Sequence, residues 1–320
     1  SHRPQFSPDS EEDGLKLILD MVNASTRYIV KLNSEPIENI TFRDVDVFIV
    51  AGPDASDSYS ETEIDAISEM LSNGSSLLVL GDPTINQTSV YWDDSPFQDI
   101  GDNIAINNFL DQLNMTGPRF SINATEVDNW SDVMFDYEHA INESYPAVIR
   151  MDSTTWDAKH PIFQNINELL IMSATLKPVN IVSAIATGYE SSFSQYKRSL
   201  VTWANASFPN MTLEEFANDP LSFSSINGTF PPWMSAFEFN KSRVIIGGST
   251  LMFSGRHVDI PEFDQRWFYA ADNARLFMNM LEWLTENFVE APSAVTQMTT
   301  ISGVVLLIGI VYYLIRKIRK

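Results

Sequence analysis

The 320-residue chain contains no cysteine. That excludes a disulfide framework, a thiol nucleophile and zinc or iron–sulfur sites built on thiolates. Histidine is almost as scarce: four residues, widely spaced, leave little for a metal cluster, so neither a metal nor a cofactor is expected. Basic residues are few, with 20 Lys and Arg against 42 Asp and Glu, a formal charge of −22. The imbalance is sharper in the body, because Arg316, Lys317, Arg319 and Lys320 all follow the last acid, Glu290. Residues 1–290 hold 16 basic and 42 acidic groups, or −26. Such a body repels phosphate backbones, which excludes nucleic acid as a partner. There is no internal repeat, no low-complexity tract and no Gly-x-Ser-x-Gly elbow; Gly247-Gly248-Ser249-Thr250 is one residue out of that pattern. What is present is 44% hydrophobic residues, enough to bury a sizeable core.

The C-terminus is the most legible segment. No charged residue occurs from Ala291 to Ile315. The apolar run Ile301–Ile315 with its neutral flank is long enough, at about 20 residues, to span a bilayer as one helix. Tyr312 and Tyr313 suit the membrane interface, and Arg316, Lys317, Arg319 and Lys320 form a basic stop that should stay cytosolic. The sequence therefore divides into an extracytosolic domain (1–288), a stalk (289–297), a transmembrane helix (298–315) and a basic cytosolic tail (316–320). Membrane lipid is the first partner implied. The plain alternative, a buried helix closing the domain, does not account for the immediate polybasic stop. Gly303 and Gly309 lie six apart and make no GxxxG face.

Asn-x-Ser/Thr sequons start at Asn23, Asn39, Asn73, Asn86, Asn114, Asn123, Asn129, Asn142, Asn205, Asn210, Asn227 and Asn240. Twelve of the 23 asparagines therefore open the pattern, where 53 Ser and Thr among 320 residues give about 4 by chance. All twelve fall on the outer side of the anchor. Together they predict an N-glycosylated cell-surface or lumenal domain, with the modified asparagines facing solvent. Ser1-His2-Arg3-Pro4 reads as a mature or trimmed start.

Within the body, periodicity predicts a helix over about Glu11–Val22 and a short strand near Tyr28–Leu32. Val45–Ala51 is a compact apolar run, read as a buried parallel strand ending at Gly52-Pro53. Ser60-Glu61-Thr62-Glu63 is a capping box opening a helix that Asn73-Gly74 stops. Ser76–Leu80 is the next strand, ended by Gly81-Asp82-Pro83, and a helix fits Ile104–Leu113. This β-α-β-α order implies an α/β fold, a mostly parallel sheet flanked by helices. Residues 120–240 are less regular, with candidate strands at Ala147–Met151, Ile181–Ala186, Leu200–Trp203 and Ala236–Phe239. Arg243–Ser249 reads as a strand and turn, and Asp272–Glu286 as an amphipathic helix.

The order of these motifs resembles a known family. The strand closing in Ala51-Gly52-Pro53, the capped helix ending in Asn73-Gly74-Ser75-Ser76, the strand Leu77–Leu80 with Gly81-Asp82-Pro83, and the late run Arg243–Phe253 before a helix ending in Glu282-Trp283-Leu284 are similar to the GldG/IFT-type (GIFT) domains. These are relatives of the class I glutamine-amidotransferase-like fold. The resemblance spans about residues 40–85 and 240–285. It implies a flavodoxin/amidotransferase-like sheet with an irregular β-rich middle. It also implies a non-catalytic role like that of the single-pass GIFT subunit of oligosaccharyltransferase, a scaffold that binds other membrane-protein subunits. A GldG-type ABC-transporter auxiliary protein, a surface protein assembling with copies of itself, and a degenerate hydrolase are the alternatives. The sequence departs from the family at Ser75 and Ser76, where glycines are usual. Its opening strand is absent or short, and no room remains for the extra β domain of the oligosaccharyltransferase subunit.

Amidotransferase-like enzymes carry a nucleophilic cysteine on the turn after a central strand; the matching turn here holds Asp82. A carboxylate can act as a nucleophile, but Pro83 restricts Asp82 to extended angles, and a turn residue closing a strand is the plainer reading. Asp82 is therefore expected to be structural, with His139, His160 and His257 too far away to pair with it. His139 and His160 have Asp136 and Asp157 nearby in sequence, and Asp54, Asp57, Asp93, Asp94, Asp99 and Asp102 lack EF-hand spacing. Satisfied histidines and a solvated acidic face are expected.

Overall fold

The computed structural model describes residues 6–53, 59–83, 103–124, 129–142, 145–177, 183–196, 230–258, 260 and 263–285. They fall within one compact unit, Ser1–Thr285; the second unit, Glu286–Lys320, lies outside them, and with it the predicted stalk, anchor, interface tyrosines and basic tail. Among the described residues no helix is long and apolar enough to cross a membrane.

The α-helices among the described residues are α1 (Lys16–Ala24), α2 (Glu61–Ser72), α3 (Asn103–Gln112) and α4 (Asn273–Leu284). The main sheet uses β1 (Val47–Ala51), β2 (Ser76–Leu80), β9 (Ala184–Thr187), β11 (Pro232–Phe239) and β12 (Ser242–Gly247), in the order β1-β2-β12-β11-β9. β2 is parallel to β1 and to β12, each pairing in unbroken register. Every residue of β2 is buried. The reason is that both faces of the sheet are covered. Leu78, Leu80 and Ile245 point to the face packed by Ile18 and Val22 of α1 and Leu276, Phe277 and Met280 of α4. Leu77, Val79, Val244 and Ile246 point to the face packed by Ile64, Ile67 and Leu71 of α2 and Ile106, Phe109 and Leu110 of α3. Each such side chain contributes about 1.5–3 kcal/mol.

The predicted capping box forms: Ser60 Oγ accepts from Glu63 N–H, and Ser60 N–H donates to Glu63 Oε2 at 2.9 Å. Glu63 also accepts from Ile37 N–H through Oε1, tying the preceding loop to the helix start. Gly74, at φ +104°, reverses the chain between α2 and β2.

Three expectations are corrected. The sheet is mixed: β11 runs antiparallel to both β12 and β9, so two of its four pairings are parallel and two are not. A two-residue hairpin turn at Asn240-Lys241 reverses β11 against β12, and Asn240 takes the left-handed φ of +58°. Tyr28–Leu32 forms no strand and joins no ladder among the described residues. The middle is β-rich as expected, but in more strands than its patterning predicts. β3 (Arg119–Phe120) pairs with β8 (Leu176–Lys177), and β6 (Ile149–Asp152) with β7 (Glu168–Ile171). β5 (Asn129–Phe135) lies between β4 (Ile122–Ala124) and β10 (Phe193–Tyr196). The candidate strand at Leu200–Trp203 lies outside the described residues.

Candidate functional site

The three parallel strands β1, β2 and β12 end in glycine-bearing turns that meet at one end of the sheet, where open α/β sheets take their ligands. Gly52 N–H donates to the Leu80 carbonyl (2.8 Å), and Gly81 N–H to the Gly247 carbonyl (2.9 Å). Asp82 is fully buried between them. Its Oδ1 accepts from the N–H groups of Thr250 (2.9 Å) and Leu251 (2.8 Å), so the carboxyl pins the end of β2 to the turn after β12. Asn103, the first residue of α3, holds the same turn: its Nδ2 donates to the Asp82 carbonyl at 2.7 Å. Burial pushes the Asp82 pKa well above the usual carboxylate range, against the opposing pull of the Leu251 and Thr250 donors and the Arg256 charge. The glycines are required by the packing. A Cβ at Gly81 would lie 2.2 Å from Asn103 Oδ1, and one at Gly248 would lie 2.1 Å from the Ala174 carbonyl oxygen. Phe6, buried, packs on this end; a Cβ on Gly52 would stand 3.6 Å from its ring and 3.5 Å from Asp82 Oδ2.

No described histidine hydrogen-bonds with Asp82. His139 lies against Asp136, as its i, i+3 spacing suggests, with Nδ1 3.1 Å from Oδ1. Asp136 is fully buried and also accepts from Glu138 and His139 N–H, Ser191 Oγ (2.8 Å) and Ser192 Oγ (2.7 Å). Ser, His and Asp are therefore together, but not as a catalytic triad. Ser191 Oγ approaches Nδ1 (3.2 Å), the nitrogen that Asp136 already engages, so the imidazole cannot relay a proton from serine through its opposite nitrogen. The ring stacks on Tyr189 at 3.6 Å. Tyr189, whose pKa is pushed up to about 12 mainly by burial, donates to the Arg150 carbonyl and accepts from Asp152 N–H. The cluster joins the turn after β5 to the turn before β10. Sequence reasoning missed Ser191 and Ser192, which lie more than 50 residues from Asp136 with no motif between.

His160 is not paired with the Asp157 carboxylate. Its Nδ1 accepts from Ile162 N–H, and its ring tilts against Trp283 at 5.3 Å. Burial holds its pKa below 6.5, Asp157 working against this and Arg243 adding to it. His257 contacts Asp264 on the surface (3.3 Å). Among the described residues no group of three or more His, Asp or Glu could hold a metal ion. Asp54, Asp57, Asp93, Asp94, Asp99 and Asp102 lie outside them.

Of the sequon asparagines, Asn23, Asn39, Asn73, Asn114 and Asn240 are exposed and Asn142 is half-buried. Asn123 and Asn129 fall in β4 and β5 with side chains outside the described set, and Asn86, Asn205, Asn210 and Asn227 lie outside it altogether. The five exposed ones share one end of the molecule. Asn73 and Asn240 directly precede β2 and β12, and Asn39 bonds Glu69 late in α2. Asn114 follows α3, which starts at Asp82 and runs away from it. Asn23 closes α1, next to Arg27 and Tyr28, which reach Glu282 and Thr285 at the end of α4.

This fold has solved counterparts. The chain is similar to the "mmIFT52 N-terminal domain", with a TM-score of 0.51 and 15% identity over 88% of this chain and 94% of that one. Weaker likenesses are a cytoplasmic protein from Salmonella typhimurium LT2 (TM-score 0.41, 10% identity, 85% and 88% covered) and a ThuA-like protein from Parabacteroides merdae (TM-score 0.37, 12% identity, 87% of each). The chain thus shares the fold of that IFT52 domain. No family model and no curated protein matches the sequence.

Proposed function

We propose that this is a GIFT-type domain carried outside the cytosol on a single membrane helix, N-glycosylated, and acting as a scaffold for other subunits of a membrane complex rather than as an enzyme. The observation that carries the non-catalytic reading is the state of the turn after β2. Enzymes of the related fold keep an accessible nucleophile there. In this chain the position holds a carboxyl with no exposed surface, whose Oδ1 accepts from two backbone N–H groups. A group so placed acts on its own backbone, not on a substrate. The exposed sequon asparagines support the glycoprotein reading, because modification requires a solvated side chain. An ABC-transporter auxiliary subunit and a self-assembling surface protein share this chemistry and differ only in partner.

Detergent extraction of the full chain followed by affinity isolation tests the reading. A polytopic membrane protein is expected to co-purify in fixed stoichiometry, in the wild type and in Asp82→Asn alike. Recovery of the chain as a lone monomer would overturn the scaffold, and hydrolysis of an ester or amide that depends on Asp82 would overturn the non-enzyme assignment.

A further inference from the structure

His160 stands where a short turn meets the last helix of the unit. It is the N-cap of the 3₁₀ turn Pro161–Phe163, and its Nδ1 accepts from Ile162 N–H. Proline at the first position brings no N–H, so Ile162 supplies the first donor that needs an acceptor, and the imidazole meets that need. The turn then closes on itself: Phe163 N–H donates to the His160 carbonyl and Gln164 N–H to the Pro161 carbonyl, each at 3.0 Å.

The turn is fastened to α4 at two places one helical turn apart. Asn279 Nδ2 donates to the carbonyls of Ile162 and Gln164, each at 2.9 Å. Trp283, four residues on, meets the His160 ring with centroids 5.3 Å apart. The same indole carries the Arg243 guanidinium, whose Cζ lies 5.2 Å from the ring centroid and whose Nη1 donates to the Trp283 carbonyl at 2.7 Å. One aromatic ring therefore serves His160 and Arg243 together. Ile162 and Phe163 are buried in the core, so parting the turn from α4 is a local opening of the fold.

The arrangement requires a neutral imidazole. A protonated ring bears a hydrogen on each nitrogen, so Nδ1 would turn a donor toward the Ile162 N–H, and a second cation would join Arg243 at the indole. The charged groups acting on His160 are Asp157, in its own turn, and Arg243, from β12; α4 presents the neutral indole. Burial holds the His160 pKa below 6.5, with Arg243 adding to this and Asp157 opposing it. An opened turn returns the ring to water. The opened form then binds the proton more readily and gains on the fastened form as pH falls below 6.5.

We propose that the turn Pro161–Phe163 and the end of α4 form an acid-released latch: protonation of His160 breaks its cap on Ile162 N–H and parts the turn from the Trp283–Arg243 pair, while the main sheet stays folded.

Amide hydrogen exchange on the full chain, with each rate divided by the intrinsic rate at the same pH, is the test. The Ile162, Phe163 and Gln164 amides are expected to exchange at least about fivefold faster at about pH 5 than at about pH 7, while Leu78 and Val79 of β2 do not follow. His160→Asn sets an oxygen where Nδ1 stands, keeps an acceptor for Ile162 N–H and cannot be protonated, so its turn amides should exchange alike at both pH values. Asp157→Asn, which lowers the His160 pKa further, should carry the rise to lower pH before it levels. Equal exchange at the two pH values in the parent would overturn the latch. So would an undiminished rise in His160→Asn, an unmoved profile in Asp157→Asn, or acceleration of Leu78 and Val79 by the same factor as the turn.

Discussion

Replacing Asp82 tests whether its carboxyl works as a neutral pin. Asp82→Asn keeps an oxygen where Oδ1 receives the Thr250 and Leu251 N–H groups and abolishes ionisation. Asp82→Ala removes the acceptor. Thr250 N–H retains the Gly81 carbonyl at 2.8 Å, so one donor, Leu251 N–H, is left buried and unsatisfied, at about 1–3 kcal/mol. The space left by the carboxyl adds about 1 kcal/mol. The alanine variant should therefore lose about 2–4 kcal/mol, which lowers Tm by roughly 4–12 °C at this chain length. The asparagine variant should stay within about 1 kcal/mol of the parent near pH 5 and gain on it as pH rises. The sign follows from the raised folded pKa. Above the ordinary aspartate value of 3.8 the unfolded chain releases this proton and the folded chain keeps it, so the parent loses stability with increasing pH until the folded pKa is passed. Thermal melts followed by circular dichroism from pH 5 to 8 measure both effects. If Asn proves as damaging as Ala, the carboxylate is needed charged and the reasoning fails.

His160→Gln should flatten the loss of stability between about pH 6.5 and 5, because burial and Arg243 depress the folded pKa and only the unfolded chain gains the proton at once; melts showing the same slope in both proteins would refute this. Ser60→Ala should cost about 1 kcal/mol through loss of the α2 cap, read as a lower urea midpoint with unchanged slope. Gln in place of Asn23, Asn39, Asn73, Asn114 or Asn240 should each remove one glycan from the mass of the membrane-derived protein, and an unchanged mass in all five would end the reading that these exposed sequons carry sugar.

Much of this architecture is legible in sequence where apolar runs meet strong punctuation. Ser76–Leu80 is bounded by Asn73-Gly74 and Gly81-Asp82-Pro83, and the strand forms over those five residues. Ser60 and Glu63 fix the start of α2 without reference to the rest of the fold. The middle resisted because strands such as Arg119–Phe120 and Leu176–Lys177 are two residues long and exist only through partners more than 50 residues away. Tyr28–Leu32 shows the converse: local alternation predicts a strand, but a strand is a relation between segments and pairing needs a neighbour. At the strand-end turns, sequence reasoning identified Asp82 as a turn residue, but the two N–H groups it accepts from come from a loop 168 residues on. The Asp136 cluster was half visible, through His139, because only that part is local.

The confinement of the five exposed sequon asparagines to the end where β2 and β12 begin has a hydrodynamic and steric consequence. A chain bearing sugar at all five would carry a broad hydrated brush at that end of the described unit. The brush would surround Thr285, the last described residue of the unit, and would hold neighbouring molecules apart there.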